Sequence, residues 1–137
     1  MYEKIGIPVD LSHEEQLDKA LETAAALASA TGASLHLVSV TSRSPGPVAH
    51  NPEEFAERLA AFAEKRSKQF DAVFTPHVVV CNDPSAELDE SLDAWFHEHG
   101  VDLVVIASHV PGYREYVFSS NAGWLASHTD LSVLVVR

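Results

Sequence analysis

What most constrains this chain is the order in which its hydrophobic period switches. Short apolar runs of strand type alternate four times with amphipathic stretches of helix type, and the chain closes on a strand. Ile5 to Val9 is a buried-strand run ended by Asp10-Leu11-Ser12. Ser12 and Glu15 have the form of a capping box, and Leu17, Ala20, Leu21, Ala24, Ala25, Leu27 and Ala28 then recur at helical spacing up to Thr31-Gly32. Leu35 to Val40 reads as a second strand. Thr41 to His50, with two prolines and one glycine, is an obvious long loop. Asn51-Pro52 pairs an N-cap with a first-turn proline, and Phe55, Leu59, Phe62, Ala63 and Phe70 continue a second helix.

The remainder repeats the scheme. His77 to Cys81 is a third strand, and Asp83-Pro84 opens a third helix with Leu88, Leu92, Trp95 and Phe96 on its apolar face and Gly100 past its end. Val101 to Ala107 is the most hydrophobic strand and so the most central. A loop over Ser108–Phe118 leads to a helix from about Ser119 to His128, and Ser132 to Val136 is the fifth strand. This alternation predicts an α/β fold: a doubly wound, mostly parallel five-stranded sheet, order 3-2-1-4-5, with helices on both faces. At 137 residues the chain suits one domain spanning 1–137. In such a sheet ligands bind outside the carboxyl ends of the strands where the winding reverses, here between strands one and four. The loops after Val9 and Ala107 are therefore the expected crevice.

Nine Lys plus Arg stand against twenty Asp plus Glu, a formal net charge of −11. So acidic a chain repels phosphate backbones and anionic lipid, which argues against nucleic-acid and membrane-surface partners. A phosphate ligand would need local dipoles or a metal to hold it. One cysteine excludes a disulfide framework and a multi-cysteine zinc site. No run approaches the ~18 apolar residues of a membrane span, and Met1 to Lys4 leads into the first strand without a signal-peptide pattern, so the expected location is cytoplasmic. The G-x-S-x-G, H-E-x-x-H, G-x-x-x-x-G-K-[ST] and G-x-G-x-x-G motifs do not occur.

Pro8-Val9-Asp10-Leu11-Ser12 resembles the opening strand of universal stress proteins. Val104-Val105-Ile106-Ala107-Ser108-His109, Ser119-Ser120-Asn121-Ala122 and Ser132-Val133-Leu134-Val135-Val136-Arg137 are similar to that family's C-terminal block. The resemblance spans the whole chain and implies an adenine nucleotide alpha hydrolase-like fold. The ATP-binding branch of the family carries G-x-x-G, nine residues, then G-S or G-T. Here Ala107 and Val110 stand at the first two glycines, the spacing is one residue short, and the final pair is Ser119-Ser120. Members with a Ser-His-x-Pro loop look closest, whereas a Ser-Ser pair resembles the branch that does not retain ATP.

The resemblance implies a nucleotide site formed by Pro8, Val9 and Asp10 after strand one, Val38 and Val40 on strand two, Ala107, Ser108, His109 and Val110 after strand four, and Arg114, Ser119, Ser120 and Asn121 beyond. Asp10 is either an acceptor for a ribose hydroxyl or a turn residue bonding its own backbone. Val38 to Val40 is either core or a backbone edge for adenine. Ser119 and Ser120 either cap their helix or also donate hydroxyls to phosphate, where Asn121 adds an amide. Arg114 neutralises a phosphate or stays solvated, and His109 orients the loop or donates to phosphate. Scarce basic residues favour Mg²⁺ beside ATP. The resemblance also implies a homodimer or higher homo-oligomer through the last strand, where Ser132–Val136 is a nearly all-apolar edge that pairing would cover.

The expected function is a regulatory stress-response protein that binds ATP. The alternatives are a ligand-free dimeric scaffold and a weak ATP hydrolase aided by Asp10, His109 and Arg114. A flavin-binding relative shares the architecture but has no signature here. Cys81 reads as an inert strand-end thiol, His97 and His99 as a solvated helix end, and Trp95 with Phe96 as core.

Overall fold

In the computed structural model the alternation is realised as β1 (Lys4–Pro8), a 3₁₀ segment (Leu11–Gln16) running into α1 (Asp18–Thr31), β2 (Ser34–Thr41), α2 (Pro52–Phe70), β3 (Phe74–Val80), α3 (Pro84–Glu98), β4 (Leu103–Ala107), α4 (Val117–His128) and β5 (Ser132–Val136). The structure describes residues 1–108 and 117–137, with 117–122 described as backbone only. The described strands form one sheet in the order β3-β2-β1-β4-β5, every pairing parallel, as the hydrophobic pattern anticipates.

The middle strand is β1 and not β4, because β4, hydrophobic as it is, has only β5 beyond it. Neighbouring residues of one strand point to opposite faces of a sheet, so an inner strand such as β4 still feeds two cores. Val105 packs with Ile5, Ile7, Leu21, Leu37, Leu59 and Phe62 under α1 and α2. Val104 and Ile106 pack with Val38, Leu92, Phe96 and Leu125 under α3 and α4. Helices therefore cover both faces, and β4 is buried along its whole length.

Local differences from the sequence pattern have identifiable causes. The first cap is Asp10 rather than Ser12: its carboxylate accepts from the Ser12 N–H at 3.0 Å, and the chain makes a 3₁₀ turn before α1 begins. β3 starts at Phe74, three residues early, because Pro76 is tolerated on an edge strand, where half of the N–H groups have no partner to bond. α4 begins at Val117, which puts Ser119 in its first turn rather than at its cap. The caps at Asn51 and Asp83 are as expected, with Asn51 Oδ1 accepting from the Glu54 N–H at 2.8 Å and Asp83 Oδ1 from the Ser85 N–H at 3.2 Å.

Gly6 is required by close packing. A Cβ at this position would lie 2.6 and 2.9 Å from the ring of Phe96 and 3.1 Å from Val101. Phe96 is fully buried and has nowhere to retreat. Gly6→Ala is therefore expected to destabilise the fold by ~1–3 kcal/mol in urea unfolding, the usual range for overpacking. Gly123→Ala, where a Cβ meets nothing within 4 Å, should stabilise α4 by about 0.5–1 kcal/mol through helix propensity.

Candidate functional site

The site begins where β1 parts from β4. β1 pairs with β2 from Lys4↔Ser34 to Pro8↔Val38, but with β4 only at Ile5↔Leu103 and Gly6↔Val104. Within a strand, the N–H and C=O of one residue face the same neighbour, and successive residues alternate sides. Lys4 C=O accepts from the Asp102 N–H, and Val9 N–H donates to Val38 C=O, so even residues of β1 face β4 and odd ones face β2. Pro8 falls on the β4 side and has no N–H to give. The β1–β4 ladder ends there. β4 continues with β5 instead, its register reaching Ala107↔Val136 and the Ser108 N–H donating to Val136 C=O at 2.7 Å.

On the β2 side the ends of the strands are tied more tightly. Val9 N–H donates to Val38 C=O at 2.9 Å, and the buried Ser39 hydroxyl donates to Val9 C=O at 2.6 Å. In a regular parallel ladder that carbonyl would receive the N–H of Val40. With the Ser39 hydroxyl in that place, Val40 presents its N–H and C=O on the same side, past the end of β1.

A cavity of about 320 Å³ opens at this point. Its floor is Val9, Asp10, Val38 and Val40, the chain from Ser42 through Gly46 to Ala49 forms its roof, and Phe55 of α2 with Pro84, Leu88 and Leu92 of α3 make its walls. Val9 and Val38 are fully buried beneath it. Its lining is predominantly apolar with a few hydroxyls and one carboxylate, which suits a flat heterocycle oriented by a few polar groups.

That carboxylate, Asp10, is held in place by Ser12 and His13. Oδ1 accepts from the N–H and hydroxyl of Ser12, and Oδ2 lies 3.1 Å from His13 Nδ1. A carboxylate offers about four lone-pair sites, so a fixed Asp10 retains capacity for a ligand hydroxyl.

Of the residues singled out from sequence, Val9, Asp10, Val38 and Val40 line the cavity. Pro8 is buried in β1 and acts by ending the ladder, while Ala107 is buried at the end of β4. The Ser108 N–H is committed to β5. Ser119, Ser120 and Asn121 sit in the first turns of α4, and their side chains are not described. His109, Val110 and Arg114 lie outside the described residues. The sequence reading missed the roof and the α3 wall, although the Pro-Gly-Pro of residues 45–47 marked the Thr41–His50 loop, which follows β2 directly.

Cys81, just past β3, has its thiol pushed up first by burial and then by Glu87, which keeps it protonated and unreactive. His97 is bonded to Asp130 at 2.6 Å rather than simply solvated. No group of three or more His, Cys, Asp or Glu suited to a metal occurs among the described residues, nor is any described helix long and apolar enough to cross a membrane.

The comparisons agree with this fold. The model of the universal stress protein family matches residues 1–137. Universal stress protein G of Shigella flexneri is 32% identical over 143 residues, covering 100% of both chains, and its counterpart in Salmonella typhimurium is 33% identical over 150 residues with the same coverage. A universal stress protein structure from Archaeoglobus fulgidus superposes with a TM-score of 0.72 at 18% identity over 100% of both chains. One from the same organism in complex with dAMP gives 0.68 at 19%, covering 99% of this chain and 98% of that one. A universal stress protein in complex with cAMP gives 0.67 at 20%, covering 99% and 97%. With a family match over its full length and curated relatives above 30% identity, the chain belongs to the universal stress protein family.

Proposed function

We propose that this universal stress protein binds an adenine nucleotide, ATP accompanied by Mg²⁺, in the cleft at the carboxyl ends of β1 and β2. The observation that carries the reading is the cavity itself, whose floor holds Val40 with its backbone N–H and C=O beyond the last β1 partner. Adenine offers an acceptor at N1 beside an amino donor at N6, which matches one backbone N–H and one C=O. Guanine offers a donor and an acceptor in the reverse order, and its pairing would fail. At about 320 Å³ the cavity is at the small end of the ~300–1,000 Å³ range of ligand pockets, enough for the base and sugar with the phosphates outside. The adenine ligands of two related structures support the same reading.

Asp10 takes a ribose hydroxyl. The phosphates extend across the β1–β4 gap toward the N-terminus of α4, where the first backbone N–H groups and the helix dipole attract anions. The fit there is partial, because the Ser108 N–H is already used by β5 and Ser119 brings a Cβ in place of the family's glycine. Mg²⁺ supplies the positive charge that a chain of net charge −11 does not.

Isothermal titration should show ATP binding tighter than millimolar and GTP at least tenfold weaker. No binding detected at millimolar ATP, or equal affinity for GTP, would overturn the proposal. Asp10→Ala is expected to weaken ATP by roughly 10–100-fold, the loss of one hydrogen bond to a charged group, while Cys81→Ala leaves it unchanged.

The same proposal includes a homodimer joined through β5. This strand is an open edge with Ser132 and Leu134 exposed, and an apolar edge left unpaired invites association. Pairing with the β5 of a second copy satisfies both edges by one self-complementary patch. Light scattering at micromolar concentration should give twice the chain mass, and Leu134→Arg should shift it to the monomer. A wild-type chain that is a soluble monomer would refute the pairing.

A further inference from the structure

Toward the amino-terminal ends of the strands, on the α3 face, four rings form a continuous series that ties α3 to the sheet. His36 of β2 and His77 of β3 are hydrogen-bonded, Nδ1 to Nε2, at 2.9 Å. His77 packs on Trp95 of α3 at 4.7 Å between centroids, and Trp95 stacks on His99 at 3.9 Å and 12°. Ser34 Oγ lies 2.9 Å from His36 Nε2, His99 Nδ1 is 2.9 Å from Trp95 C=O, and Lys4 Nζ donates to His99 C=O at 2.8 Å.

A neutral imidazole has one N–H and one bare nitrogen. In the neutral pair one ring donates to the bare nitrogen of the other. A first added proton can settle on a nitrogen outside this bond, which survives as a charge-assisted contact. A second makes all four nitrogens N–H, so two hydrogens face each other across 2.9 Å and two cations stand with centroids 5.1 Å apart. The separation suits a proton and not a metal: a divalent ion in line between the nitrogens needs about 4 Å, twice a bond of ~2.0–2.1 Å.

Among the described residues no counter-charge is set against the pair. The groups facing the pair are the Lys4 ammonium from β1 and the His99 ring from the end of α3, and both disfavour a proton on the pair. Asp102, at the entry to β4, spends its carboxylate on the N–H groups of Glu3 and Lys4 at 2.9 and 3.0 Å. Burial first, then these neighbours, holds both imidazoles below their ordinary value: His77, Lys4 and His99 act on His36, and His99 and Lys4 on His77.

We propose that the His36–His77 hydrogen bond is an acid-sensitive latch, which holds with at most one added proton and opens when both rings are protonated, freeing the Trp95–His99 end of α3 from the sheet. The same helix supplies Pro84, Leu88 and Leu92 to the cleft wall, so the latch acts on an element the site is built from.

Because both folded-state values are depressed, the unfolded chain takes up protons first as pH falls. Stability is fully present above about pH 6.5 and is lost from there down toward the depressed values. His97, held above its usual range first by its bond to Asp130 and then by Asp93, acts in the opposite direction, and it is common to every variant compared.

The test uses the whole chain with Trp124→Phe, which removes the second indole, itself stacked on His128. Trp95 fluorescence should change in one transition with its midpoint below pH 6.5. Over the same window the folding constant should fall by more than tenfold per pH unit, approaching 100-fold for two protons. His36→Gln or His77→Gln should reduce this to at most tenfold per unit and remove the fluorescence step. An unchanged transition in either variant would overturn the latch. If neither variant folds, NMR titration of the wild-type imidazoles decides: coupled values below the ordinary histidine range sustain it, and two independent ordinary titrations end it.

Discussion

The structure depends on an early end to one ladder of hydrogen bonds. β1 lies between β2 and β4, and at Pro8 it has no donor to give on the β4 side. The strands on either side therefore part company. β1 and β2 stay bound through Val9 and the Ser39 hydroxyl, while β4 turns its end toward β5. A sheet wound in both directions from its middle leaves a crevice at the reversal, and the missing N–H locates this one within a residue. On the other side of β1 the Ser39 hydroxyl takes the Val9 carbonyl, and Val40 owes its open backbone edge to that substitution.

A crevice is useful only on a floor that does not move. Gly6, two residues before the break, lets the ring of Phe96 pack directly on the β1 backbone, closer than a side chain at that position would permit. Val9 and Val38 of the cavity floor and Leu92 of its wall are fully buried. The wall formed by α3 is thus anchored at two levels: by Phe96 in the core, and by Trp95 and His99 near its end. The first anchor is apolar and indifferent to pH. The second runs through imidazoles set beside the Lys4 ammonium, and proton concentration acts there on the packing of this helix.

Much of this was legible along the chain because it is written in local periods. Strand–helix alternation, the Asn51 and Asp83 caps, and the apolar Val101 to Ala107 run give the parallel sheet and its order without any knowledge of contacts. Val9, Asp10, Val38 and Val40 follow from the rule that ligands sit at the carboxyl ends of strands, together with the family likeness. The cavity roof was not legible, since Ser42 to Ala49 has no period and its position depends on where α2 begins. Nor was the start of β3, where Pro76 hides a strand that only edge placement permits.

The sequence alone determined the fold class, the winding order and the family, because each rests on patterns repeated at short range. Tertiary structure decided what the special residues do. Asp10 became a cap pinned by Ser12 and His13, Pro8 a ladder stop, and Gly6 a seat for Phe96. His36, His77 and His99, far apart in the chain, became neighbours only when β2, β3 and α3 packed. Periodicity reports which way a side chain faces, but not which distant group it meets there, and hydrogen bonds and protonation depend on the latter.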